Sequence, residues 1–231
     1  VIVTKNANLD KASEGVIHAA FGFSGQKCSA CSRVYVQKDV AEQFIKKLTD
    51  KSKSLKIGMP WSGDTFLGPV INKDAVLKFE DAVSLAKKDG KIIFGGEKIN
   101  DSEYEHGFFV QPTIVTDLPQ DHKLVTEELF LPFLCINTYD NFDEAIKLAN
   151  KTEYGLTAGI FSEDATQIDE FFEKIQAGTV YANRSSSATT AALVQSQPFV
   201  GWKSSGTTGK GAGGEIYLHQ FLRSQTQTLC D

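Results

Sequence analysis

The 231 residues suffice for one large domain or two small ones, and a hydrophobic fraction of 41% beside 23% charged residues allows a sizeable core. The net charge of -5, with both signs interspersed and no basic stripe carrying aromatics, argues against a nucleic-acid surface. No apolar run approaches the ~20 residues of a bilayer span, no signal peptide opens the chain, and Cys28, Cys31, Cys135 and Cys230 do not read as a disulfide framework, so a reducing, cytoplasmic setting fits.

Val1-Ile2-Val3-Thr4 reads as a strand already under way. With no initiator Met and Met59 the single methionine, a piece of a longer protein is expected. Leu9, Ala12, Val16, Ala19, Ala20 and Phe23 recur at helical spacing, and Gly22 and Gly25 place the helix end near Ser24. Ser32 to Val36 reads as a strand with Val34 and Val36 on one face. Asp39 with Glu42 resembles a capping box before a helix whose stripe is Val40, Phe44 and Leu48. Met59 to Gly68 is a loop. Asp74 opens a helix with Val76, Phe79, Val83 and Ala86 on its buried face, stopped at Gly90.

Lys91 to Phe94 is a short strand ended by Gly95-Gly96. Phe108 to Val115 is extended, and Pro112 argues against an interior ladder position there. Phe133 to Thr138 is mostly apolar, as expected of a strand covered on both faces. Asn141 and Glu144 start a helix that ends before Gly155. Thr157 to Phe161 is a strand, Ile168, Phe171, Phe172 and Ile175 mark a helix stopped at Gly178, and Thr179 to Asn183 is a strand again. Strands alternating with helices over short connections predict an α/β fold with an open, twisted, mainly parallel sheet flanked by helices. Two long loops follow, Arg184 to Gln197 and Ser204 to Gly214, then a helical or irregular stretch at Glu215 to Leu222 and a final polar strand. Loops of such length in a compact domain tend to carry function.

Several segments invite a chemical reading. Cys28 lies in a turn between a helix and a strand, where a thiol is either rigidly presented to a small molecule or buried and inert. Cys28 and Cys31 form a C-x-x-C without a second ligand pair for zinc, and the helix-then-strand order is the reverse of a thioredoxin-like redox site. Gly209 to Gly214 matches G-x-G-x-x-G, but no strand runs into it and too little chain follows for a βαβ unit. Glu127-Glu128 reads as a solvated turn unless a ligand hydroxyl meets it. Composition alone favours Phe199 as a core residue.

Gly25-Gln26-Lys27-Cys28-Ser29-Ala30-Cys31-Ser32-Arg33 resembles the catalytic cysteine segment of the aldehyde dehydrogenases, and in particular the branch that oxidises glutamate γ-semialdehyde to glutamate in proline catabolism. Further matching pieces follow in the same order. They are Leu67-Gly68-Pro69-Val70-Ile71, Gly107 to Thr113, Glu127-Glu128-Leu129-Phe130, Ala145 to Asn150, Tyr154-Gly155-Leu156-Thr157, Gln197-Pro198-Phe199 and Ser205-Gly206-Thr207. The resemblance implies a catalytic domain over residues 1–220 and a tail, 221–231, that serves as an oligomerisation strand in a homo-oligomer. The nucleotide-binding domain, the general-base Glu and an oxyanion-binding Asn would lie upstream of Val1.

By the same resemblance Cys28 is the nucleophile and Cys31 a packing residue. Glu128 and Phe130 meet the nicotinamide end of NAD, with NADP not excluded. Ser29, Ala191 and Ala192 hold the substrate's α-carboxylate and amine, and Phe199 packs on its aliphatic stem. No metal is implied. The family usually has glycine at Leu131, Ala191 and Val200, which bears on the cofactor-side turn and on substrate choice. Two alternatives stand beside this reading: a dehydrogenase for another small aldehyde, and a non-catalytic paralogue kept for assembly or binding.

Overall fold

A computed structural model describes residues 1–100, 104–186, 196–208 and 210–231. Strand β1 (Ile2–Val3) is fully buried, and helix α1 (Leu9–Phe21) follows it, capped by the Asn8 side chain, which accepts from the N–H groups of Asp10 and Lys11. Strand β2 (Arg33–Gln37) runs directly into α2 (Lys38–Lys53) with no loop between them. Gln37 is therefore both the last strand residue and the helix N-cap. Asp39 lies inside the first turn, where its carboxylate accepts from Gln37 Nε2 at 3.1 Å, and the capping box expected from Asp39 and Glu42 does not form.

Helix α3 (Lys73–Asp89) is capped by Asn72 and buries Val76, Phe79, Val83 and Ala86, as their spacing predicts. After it come β3 (Lys91–Phe94), β4 (Thr113–Thr116), the four-residue helix α4 (Lys123–Thr126), and β5 (Phe133–Tyr139). Pro112 sits just before β4, so no ladder hydrogen bond is asked of it. Helix α5 (Phe142–Asn150), the two-residue strand β6 (Tyr154–Gly155), β7 (Thr157–Phe161), α6 (Ala165–Lys174) and β8 (Thr179–Ala182) follow. In α6 only Phe171 is fully buried, while Phe172, expected on the buried stripe, is 44% exposed. Strand β9 (Trp202–Lys203) pairs with β6 in a small separate ladder. A short 3-10 helix spans Tyr217–Phe221. The expected final strand forms no ladder within the described residues, and 222–231 are exposed.

The main sheet has the order β3-β4-β5-β2-β1-β7-β8, and every pair is parallel except β3 with β4. Alternation along the strands divides the core into layers. Val34, Val36, Leu134, Ile136 and Phe161 pack on one side with α1 and α2. Tyr35, Tyr139 and Ile160 pack on the other with α5 and α6, and Cys135 and Phe133 with α3. With both faces covered, β5 can be apolar along nearly its whole length.

Capping contributes measurably. Asn141 accepts from Glu144 N–H at 3.0 Å at the start of α5. Asn141→Ala should cost about 1 kcal/mol and lower the thermal midpoint by about 2–4 °C in a calorimetric scan.

Candidate active site

The connection from α1 to β2 is built on an unusual backbone. Beyond Phe21, the residues Phe23, Ser24 and Gly25 take φ values of 57°, 56° and 67°. Left-handed backbone costs a non-glycine residue about 1–2 kcal/mol, so this turn needs compensating contacts. Ser24 Oγ donates to the Gly68 carbonyl at 2.8 Å, and Gln26 Nε2 donates to the Pro69 carbonyl at 3.4 Å. Gln26 Oε1 in turn accepts from Ile71 N–H at 2.8 Å. At Gly25 an added Cβ would lie 2.1 Å from the Leu131 carbonyl oxygen, so this turn and the chain before β5 are packed back to back.

From this anchored turn the chain makes a second one, closed by Ala30 N–H donating to Lys27 O at 3.0 Å, and is returned to β2 by Cys31 N–H donating to Ala19 O at 2.9 Å. Cys28 projects from it, exposed, while Ser29 behind it is buried. The Ser29 carbonyl accepts from Thr157 Oγ1 at 3.5 Å, tying the turn to β7. Among the described residues the backbone N–H groups of Cys28 and Ser29 donate to nothing. Unpaired amide donors beside an exposed thiol can receive a developing oxyanion.

Cys28 opens into a cleft of about 360 Å³. The residues just ahead of β2, β5 and β7 line it, so the cleft lies at the amino edge of the parallel strands rather than the carboxyl edge that ligands usually occupy. Ser29, Glu128 and Phe130 line the same cleft as Cys28. Glu128 is exposed, with no cation paired to its carboxylate among the described residues. Phe130 is 45% exposed with φ 61°. Burial holds the Lys27 ammonium, also on the lining, below the usual lysine range, and pushes the phenol of Tyr181 on the floor up.

The thiols differ sharply. Cys31 is half-buried and donates to Arg33 O at 3.4 Å, consistent with packing. Cys135 is buried, donates to Leu124 O at 3.3 Å, and has its thiol pushed up to about 12 by desolvation. Cys230 is exposed in the tail, away from the cleft lining. No cluster of three His, Cys, Asp or Glu side chains that could hold a metal occurs among the described residues. Nor is any helix among them long and apolar enough to cross a membrane.

Residues 1–227 match the sequence profile of the aldehyde dehydrogenase family. The chain belongs to that family. It is 39% identical over 228 residues to 1-pyrroline-5-carboxylate dehydrogenase of Oceanobacillus iheyensis, which covers 99% of this chain and 43% of that protein. The enzyme of the same name from a Geobacillus strain is also 39% identical, over 98% of this chain and 42% of its own. The chain thus spans less than half the length of the curated relatives it matches. Among solved structures, 1-pyrroline-5-carboxylate dehydrogenase from Thermus with bound NAD superposes with a TM-score of 0.88 at 34% identity, covering 96% of this chain and 41% of that one. Betaine aldehyde dehydrogenase from Staphylococcus aureus in complex with NAD+ gives 0.90 at 30% identity, over 97% of this chain and 43% of that one.

Two departures from the usual aldehyde dehydrogenase pattern have a local explanation. Neither Leu131 nor Val200 adopts left-handed backbone; the left-handed residue beside Leu131 is Phe130. Leu131 is buried with Leu124, Val125 and Phe133, and Val200 N–H and carbonyl both bond Thr179 Oγ1 at 3.3 Å. Ala191 and Ala192 lie outside the described residues. Phe199 is half-buried, exchanges backbone hydrogen bonds with Ala212 at 2.8 and 3.0 Å, and is not on the cleft lining. The cleft also includes Thr157, Ser204 and Ser205; Thr157 and Ser205 fall in matching pieces of sequence to which no role was attached. Ser205 Oγ accepts from Gly155 N–H at 3.1 Å, bringing the loop after β9 to the rim.

Proposed function

We propose that this chain is the catalytic part of a cytoplasmic, NAD-dependent aldehyde dehydrogenase that oxidises glutamate γ-semialdehyde to glutamate, a reading supported by its similarity to the 1-pyrroline-5-carboxylate dehydrogenases. One observation carries the reading. An exposed thiol, unpaired backbone donors, a free carboxylate and an exposed aromatic ring converge on a single cleft. NADP in place of NAD is compatible with the same cleft.

In this reading Cys28 attacks the aldehyde carbon as a thiolate, because the thiol is the weaker nucleophile. The C–S bond forms as the carbonyl oxygen becomes an oxyanion, and the Cys28 N–H donates to it. The rim suits a nicotinamide riboside, since the unpaired Glu128 carboxylate can accept from ribose hydroxyls and the Phe130 ring offers an apolar flank. NAD, when bound there, supplies the hydride acceptor. Cys28 then holds the acyl group as a thioester until water cleaves it, with an upstream Glu as general base. Ser29, Ala191 and Ala192 hold the α-carboxylate and amine, and Phe199 meets the stem once the substrate is seated. Residues 1–220 form the catalytic domain, and 221–231 supply a strand to a homo-oligomer.

A comparison of substrates on the full-length protein tests this. Glutamate γ-semialdehyde should support NAD reduction with a higher kcat/KM than unsubstituted aliphatic aldehydes, and the reverse preference overturns the substrate assignment. In this reading the base and the oxyanion Asn belong to a part of the protein upstream of these residues, so the 231-residue chain alone should show no turnover. The close superposition on betaine aldehyde dehydrogenase keeps a different small aldehyde as the second reading, which the same comparison decides.

A further inference from the structure

The cofactor-side wall of the cleft, Glu127 to Leu131, follows directly from α4. That helix has only four residues, closed by Val125 and Thr126 N–H donating to His122 O at 2.8 and 3.1 Å and by Glu127 N–H donating to Lys123 O at 2.8 Å, and an isolated helix so short is not stable without further contacts. Its N-cap is His122, whose Nδ1 accepts from Leu124 N–H at 3.2 Å. The opposite ring nitrogen, Nε2, lies 3.3 Å from Asp89 Oδ2 at the end of α3. An amide hydrogen directed at Nδ1 requires that nitrogen to be unprotonated. The ring proton therefore sits on Nε2 and is donated to Asp89.

We infer that neutral His122, as its Nε2–H tautomer, is a positioning residue that holds α4 and through it the Glu127 to Leu131 wall, and that protonation releases the cap. Protonation turns Nδ1 from acceptor to donor. It would then face the Leu124 N–H donor-to-donor while Nε2 stays on Asp89. Histidine is the side chain that ordinarily changes charge between about pH 5 and 8. Asp89 faces the His122 ring from α3, with Lys88 Nζ 3.9 Å from the other Asp89 oxygen, and Asp121 and Lys123 flank it in the chain. From β5 the neighbouring titratable group is the buried Cys135 thiol, which donates to Leu124 O. Val125, Thr126 and Glu127 line the cleft immediately after the cap. The consequence for the cofactor side rests on the roles proposed above for Glu128 and Phe130.

Hydrogen exchange and nitrogen-15 NMR on the 231-residue chain test the inference without turnover, so failure here and failure of the proposed reaction are separate results. At about pH 8 the imidazole of His122 should show Nε2 protonated and Nδ1 bare; a proton on Nδ1 overturns the proposal. Protection of the Leu124 amide, corrected for intrinsic exchange, should fall about fivefold on acidification to about pH 5.5, with Glu127 following. His122→Asn keeps a capping oxygen that cannot protonate, so its profile should be flat; a profile matching the parent's overturns the proposal. Asp89→Ala removes the acceptor opposite Nε2 and should lower Leu124 amide protection already at about pH 8. Unchanged protection in that variant also counts against the proposal, whether or not the His122 variant folds.

Discussion

Cys28→Ser in the full-length protein should lower aldehyde-dependent NAD reduction by at least about a thousandfold, the scale seen when a covalent nucleophile is removed from a site that acts as a unit. The thermal midpoint should not move, because Cys28 is exposed and its side chain packs against no core cluster. The two readouts together separate a catalytic loss from a folding loss. Alkylation of the 231-residue chain gives a second, independent check. Exposure alone makes Cys28 and Cys230 equally reachable, half-buried Cys31 slower, and Cys135 slowest with its thiol pushed up to about 12. An activated nucleophile must outrun Cys230 as well. Labelling of Cys28 no faster than the tail cysteine would favour the non-catalytic paralogue, and a Cys28→Ser protein retaining a tenth of its activity would overturn Cys28 as the nucleophile.

The fold was legible wherever one periodicity ran long enough to be counted. In α3, Val76, Phe79, Val83 and Ala86 share one face in sequence and in space. The mostly apolar run of β5 announced a strand covered on both sides, and it lies between β4 and β2 inside the sheet. The short strands β1, β3 and β8 were still read from their apolar and β-branched residues, but β6, β9 and α4 were out of reach. The β6–β9 ladder joins Tyr154–Gly155 to Trp202–Lys203, and nothing local to either pair specifies its partner. Helix α4 is too short to show a period. At α2 the local rule misled, because Asp39 and Glu42 have capping-box spacing but the strand leads into the helix two residues earlier. There the backbone of Gln37 already has the extended geometry of an N-cap.

The site divides in the same way. Cys28 in its turn was visible, yet composition could not decide whether the thiol was buried, since its exposure depends on how Ser24 and Gln26 grip residues 68–71 some 44 positions away. Glu128 and Phe130 were ambiguous for the same reason, since the docking of Leu131 against Gly25 helps bring them to the cleft that Cys28 lines. Family resemblance supplied those residues without the contacts that place them. Phe199 shows the converse. Its backbone is fixed by Ala212, but in this chain its side chain does not reach the cleft lining.

Gly25 is where fold and site meet, and Gly25→Ala should have the largest effect on stability of any single-methyl change near the cleft. A Cβ there would lie 2.1 Å from the Leu131 carbonyl oxygen, 2.5 Å from its carbon and 2.8 Å from Pro132 N, all backbone atoms with no rotamer to yield. The residue also has φ 67°, which adds about 1–2 kcal/mol for any L side chain. Strain plus enforced separation places the cost at about 3–5 kcal/mol, or about 10 °C in thermal midpoint for a chain of this size. Gly63→Ala is the matching control, because nothing lies within 4 Å of its added Cβ and its backbone is not left-handed; it should stay within about 0.5 kcal/mol. The loss at Gly25 should also reach function. Pushing Leu131 away displaces Phe130 and Glu128 from Cys28, so the full-length Gly25→Ala protein should lose NAD affinity even well below its lowered midpoint. A folded variant with unchanged affinity for NAD would mean that this contact sets stability alone, and that the wall opposite Cys28 is held from the α4 side.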